Sequence, residues 1–144
     1  MWAVQYNGLG LFRGKDFHSF YIVFSEKEVD YVKSQRLARI VTANRTGDPD
    51  VAPVGFDFEG EYFYVSGHIL TRTHKFRNIF ENPKVSFVID DLRSLKPWTP
   101  RMLKIRGTAD LVDHSDYLGP GKYIRIKPTH NPSININKPF QPPR

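Results

Sequence analysis

Residues 62–91 read YFYVSGHILTRTHKFRNIFENPKVSFVIDD, a succession of strand, basic turn, short helix, Asn-Pro stop and strand. Residues 62–66 are aromatic and β-branched, which suits a pleated strand, and Gly67 breaks it. Thr71 is placed to cap a helix in which Phe76, Ile79 and Phe80 recur at helical spacing and form one apolar face. Asn82-Pro83 stops that helix, because proline disfavours helical geometry in the residue before it. Val85, Phe87 and Ile89 then alternate with Ser86, Val88 and Asp90 as a second strand.

The charges on this helix run against its dipole. Arg72, His74, Lys75 and Arg77 crowd its start, while its one acid, Glu81, stands near its end. The macrodipole favours the reverse, by about 0.3–1 kcal/mol per charge. A bound anion reconciles the pieces, since free backbone N–H groups, the Thr71 and Thr73 hydroxyls and converging cations make a phosphate cradle. A solvated basic face that tolerates a poor dipole is the plainer reading.

Working outward, 144 residues are one domain's worth of chain, with 40% hydrophobic and 25% charged residues. No cysteine is present, which removes disulfides, thiolate metal sites and a cysteine nucleophile. No apolar run reaches the roughly 18–20 residues of a membrane span, and the first residues do not follow a signal-peptide pattern. No membrane partner and a cytoplasmic location are therefore expected. The formal net charge of +6 implies anionic ligands, either phosphate-bearing small molecules or nucleic acid.

Residues 1–24 are aromatic with scattered glycines and form an extension of undetermined role. The regular fold begins at Ser25, where Ser25 and Glu28 make a capping box and Phe24 with Val29 has hydrophobic-staple spacing. That helix ends at 34–36. Residues 37–43 and 51–58 follow as strands, the second interrupted by Pro53 and Gly55, as at an edge or bulge where something approaches the backbone closely. Residues 92–101 form a loop around Trp98, and residues 102–112 a strand broken by Gly107. Residues 113–121 make a polar connection, 122–127 a last strand, and 129–144 an irregular tail. About six strands with two helices predict a mainly β fold, a small antiparallel barrel with helices at its openings, over residues 25–128.

Among candidate chemistries, His68 and His74 have no carboxylate between them and match no common zinc spacing, so no metal site is expected. Ser66, Asp57 and Asp90-Asp91 are tied together by no catalytic motif, and Asp90-Asp91 reads as a strand end facing water. Basic residues interleave with aromatics at 75–77 and 122–125, as in single-strand binders, but the aromatics hold core strand positions and no nucleic-acid partner is expected. A phosphorylated planar cofactor uses all the odd features together. A flavin-like ring would lie along the 51–56 backbone, with its phosphate on Thr73 and Lys75.

The segments VAPVGFDF, VSGH, TRTHKFRNIFENPKVSFVIDD, PWTPR, IRGTADLV and IRIKP, in that order over 25–128, resemble the pyridoxamine 5'-phosphate oxidase-like split barrels. They are most similar to the small branch assigned to the deazaflavin coenzyme F-420. The resemblance implies a homodimeric split β-barrel that holds FMN or the deazaflavin between subunits. It implies an oxidoreductase that transfers a hydride to or from a small-molecule substrate, the cofactor carrying the chemistry. Pro53, Val54 and Gly55 match the segment that lines the ring, and Ser66, Gly67 and His68 the strand end beside it. Thr73 and Lys75, supported by Arg72, match the phosphate pair, and Trp98 and Arg101 the loop bordering the groove. The chain departs from the family where relatives carry Ser-Trp-Gly; here Ser133 precedes Ile134 and Asn135. Some split barrels bind haem or carry a cofactor without turnover, which is the alternative.

Overall fold

The computed structural model describes residues 24–66, 72–130 and 133–136. Helix α1, Glu26–Ser34, starts where the capping box expects: Glu28 N donates to Ser25 Oγ (3.1 Å) and Ser25 N to Glu28 Oε1 (2.9 Å). Phe24, Val29 and Val32 are buried from this end of the chain.

Strands β1 (Leu37–Ala43) and β2 (Pro49–Gly55) form a hairpin, and β3 (Asp57–Glu59) pairs with β4 (Tyr62–Val65) through a turn at Gly60, whose φ is +70°. After α2 (His74–Glu81) come three longer strands, β5 (Lys84–Ser94), β6 (Thr99–Asp116) and β7 (Gly119–His130), and a short β8 (Ser133–Ile134) on β6. All pairings are antiparallel, in the order β2-β1-β5-β6-β7-β4-β3. The first and last strands of that order are joined by the single residue Phe56. The chain itself thus passes from one edge of the sheet to the other, while the hydrogen-bond ladder stays open between them. This is a split barrel, mainly β with two short helices, as expected.

Alternation fills the barrel. Ala38, Ile40, Phe63, Val65, Phe87, Ile89, Leu103, Ile105, Ile124 and Ile126 point inward and are essentially inaccessible. At the centre Phe63 packs against Phe58, Phe87, Phe24 and Phe56 with ring centroids 4.8, 5.2, 5.9 and 6.0 Å away. Emptying such a position costs about 3–5 kcal/mol.

Several local expectations change, and the loop expected over 92–101 narrows to 95–98 between β5 and β6. The strand expected over 51–58 is two strands that bend apart at Phe56. Gly107 does not break β6. It permits a bulge and a close crossing, because a Cβ there would lie 2.1 Å from the Lys127 carbonyl oxygen. The polar connection expected at 113–121 is strand on both sides of a tight turn at Tyr117-Leu118, since its residues pair across β6 and β7 whatever their polarity. Phe80 is 73% exposed and not part of the inner face of α2, which is held by Ile79 and Asn78. Strand pairing also reaches into the stretch expected to be irregular, through His130 and at Ser133–Ile134.

Candidate functional site

The groove begins where the barrel splits. Register in the β3–β4 pair sets Asp57 opposite Tyr64. Carried two residues further it would set Ser66 level with Gly55, where β2 has already turned away to pair with β1. Among the described residues β2 is therefore an edge strand whose outer backbone groups the ladder does not use. Pro53 suits such an edge because it has no N–H to donate. Pro53 is exposed and Val54 is buried in the core, so only the backbone of Val54 borders the groove. At Gly55 the close approach read from the sequence comes from the chain itself: a Cβ there would meet the Tyr117 hydroxyl at 3.0 Å. Ser66 follows β4 directly, with its hydroxyl interacting with Tyr123.

The other wall is the start of α2. Its N-cap is Thr73, not Thr71, which lies outside the described residues; Phe76 N donates to Thr73 Oγ1 at 3.4 Å. The first turn of α2 holds no acid. Lys75 is half-buried, and that burial pulls its ammonium below the ordinary lysine range, while Asp50 at the start of β2 opposes the shift. Helix α2 packs on β1 and β2, which brings its start near the start of β2. Arg72 is exposed at the same corner. Glu81, at the unfavourable end of the dipole, accepts from Arg45 N at 2.9 Å, so it holds the β1–β2 turn instead.

Thr73, Lys75 and Arg72 thus stand at the start of α2, and Pro53, Val54, Gly55 and Ser66 lie along β2 and just past β4. Gly67 and His68 lie outside the described residues. Trp98 and Arg101 are not brought there within one chain. They belong to the β5–β6 hairpin, on the far side of β1 from β2. Trp98 is 69% exposed at the tip. Arg101 makes a two-pronged contact with Asp91, Nε to Oδ1 at 2.8 Å and NH2 to Oδ2, and lies over the Tyr31 ring at 4.9 Å. Asp91 also accepts from Tyr31 Oη (3.1 Å) and Gln35 Nε2 (3.2 Å), and Asp90 pairs with Arg39 at 2.9 Å. Of the two aspartates expected to end a strand facing water, Asp90 is exposed and pairs at the surface, Asp91 is partly buried and engaged, and both lie inside β5, which runs on to Ser94. Arg101 holds the Asp91 carboxyl below the usual carboxylate range, and burial with Asp91 beside it raises the Tyr31 phenol.

Sequence reasoning missed Asp50, Tyr117 and the Asp91–Arg101 clamp. Only the clamp left a signal, an acid and an arginine placed symmetrically about a turn.

This architecture has known counterparts, and the profile of the pyridoxamine 5'-phosphate oxidase family matches residues 24–133. The chain belongs to that family. It is 35% identical over 91 residues to the 5a,11a-dehydrotetracycline/5a,11a-dehydrooxytetracycline reductase of Streptomyces rimosus, an overlap of 62% of this chain and 64% of the relative. The match thus spans just under two thirds of that relative's length. Among solved structures, the fold is shared with a conserved hypothetical protein from Mycobacterium tuberculosis (TM-score 0.64, 19% identity, 89% of this chain and 96% of the other). It is also shared with an F-420 reductase (TM-score 0.53, 23% identity, 67% and 89%). No helix among the described residues is long and apolar enough to cross a membrane.

Proposed function

We propose that this chain is an oxidoreductase that uses FMN or the deazaflavin coenzyme F-420 to transfer a hydride to or from a small conjugated substrate. The observation that carries the reading is Lys75: a half-desolvated ammonium at the start of a helix without first-turn acids, beside an edge strand with unused backbone. A phosphate there regains for Lys75 the charge partner that burial withholds, so the residues present fit a phosphorylated cofactor. The reductase relative and the F-420 reductase neighbour support the reaction class. When bound, the cofactor supplies the hydride chemistry.

The chain's own residues bind and orient. Thr73 and Lys75 hold the phosphate, with Arg72 adding charge. The backbone of Pro53, Val54 and Gly55 flanks the ring, and Ser66 bounds its far end. Because Trp98 and Arg101 lie away from this opening, the reading includes a homodimer in which one protomer's β5–β6 hairpin covers its partner's groove. The exposed Leu92, Leu95 and Trp98 of that hairpin fit such a contact.

Titration of the purified protein with FMN and with F-420, followed by absorbance and fluorescence, tests the proposal. One of the two binds stoichiometrically and persists at physiological salt, because few phosphates are engaged. Binding of haem alone, or of nucleic acid with a steep salt dependence, refutes it.

A further inference from the structure

The outer face of the sheet gathers three potential metal ligands from two distant parts of the chain. Asp57 and Glu59 alternate along the short terminal strand β3, and His114 reaches them from β6. The imidazole is fixed in place. It stacks on Tyr64 (centroids 3.9 Å apart, planes 9° apart) and meets Tyr123 edge-on at 5.1 Å. Its Nε2 lies 3.6 Å from Asp57 Oδ2 and 3.6 Å from Glu59 Oε2, too far for hydrogen bonds. That nitrogen is shielded from solvent and has no hydrogen-bond partner among the described residues.

A neutral imidazole is poorly matched here: with its Nε2 lone pair inward it faces two carboxylates, and with N–H inward it leaves a shielded donor without a hydrogen bond, so the metal-free alternative is an imidazolium ion-paired to both acids. A cation between the three groups removes both difficulties. The three ligand atoms lie within 4.8 Å of one another. Two atoms each about 2.1 Å from a common ion are 3.6 Å apart when they subtend roughly 120°. The Glu59 side chain, 65% exposed, is free to turn inward and complete the set.

We propose that His114, Asp57 and Glu59 form a binding site for one divalent transition-metal ion of the zinc type. One imidazole and two carboxylates are a borderline-to-hard donor set that suits Zn²⁺ or Co²⁺ better than Mg²⁺. The exposure of both acids gives the ion a path in and leaves a coordination position to water. The ion would tie β3, which pairs with β4 at only three positions, to the β6–β7 hairpin.

The test uses the full-length protein, stripped with a chelator and titrated with Zn²⁺ by calorimetry and with Co²⁺ by visible absorption. We expect one ion per chain, a Co²⁺ spectrum of low coordination number, and a Tm that rises with Zn²⁺. The double variant Asp57→Asn/Glu59→Gln changes two exposed side chains isosterically and should bind at least 100-fold more weakly, with no Zn²⁺-dependent rise in Tm. His114→Ala is the weaker probe because the ring also packs. No stoichiometric binding by the wild-type protein overturns the proposal, showing a metal-free ion pair. Undiminished binding by the double variant overturns it as well, placing the ion elsewhere.

Discussion

Asn78 of α2 donates a 3.0 Å hydrogen bond to the Thr42 hydroxyl of β1, and both residues are buried. This polar contact in an apolar seam fixes the rotation of α2 about its axis. Helix α2 packs on β1 and β2 in this orientation. Asn78→Ala leaves the Thr42 hydroxyl without that partner and should cost about 1–3 kcal/mol of stability. Urea denaturation measures it. If the rotation matters to the groove, cofactor affinity falls in the same variant under conditions where it is still fully folded.

Lys75→Ala removes the half-buried ammonium at the groove. Affinity for the phosphorylated cofactor should fall by about 1.5–3 kcal/mol, roughly 10- to 150-fold. Arg77 is exposed, and Arg77→Ala should do much less. Side-by-side titrations decide the matter, and equal small losses would remove the phosphate assignment.

The Asp91–Arg101 clamp predicts a pH signature. The folded-state pKa of Asp91 is depressed, so its contribution is present above the unfolded carboxylate value of about 3.9 and is lost as pH falls through the folded value. Asp91→Asn should therefore destabilise by about 1–3 kcal/mol at pH 7. The gap between variant and wild type should close as pH falls below the ordinary carboxylate range. Thermal melts across that range check it, and a pH-independent difference would show that packing, not charge, is at work.

Leu95 and Trp98 stand 70% and 69% exposed on the β5–β6 hairpin, an apolar tip that a monomer leaves in water. Light scattering at micromolar concentration should return a dimer, and Leu95→Ser/Trp98→Ser should shift it toward monomer. If the hairpin completes the partner's groove, that variant also binds the cofactor more weakly. A wild-type monomer would sink the shared-groove reading.

The sequence by itself determined the elements that depend on neighbouring residues. Ser25 and Glu28 announce α1, Asn82-Pro83 ends α2, and the alternation of Val85, Phe87 and Ile89 marks a core strand, because caps, stops and pleats act over a few residues. The basic start of α2 was legible for the same reason. Tertiary structure decided everything that joins distant residues. The bend at Phe56, which splits the barrel, follows from β2 and β3 finding different partners. The cap at Thr73, the approach of Tyr117 to Gly55 and the pairing of 113–116 with 119–122 were likewise set by what packs against them. The same holds for His114, Asp57 and Glu59. Some 55 residues separate the histidine from the acids, so no local spacing records them, and only the coiling of the sheet brings their ligand atoms within 4.8 Å.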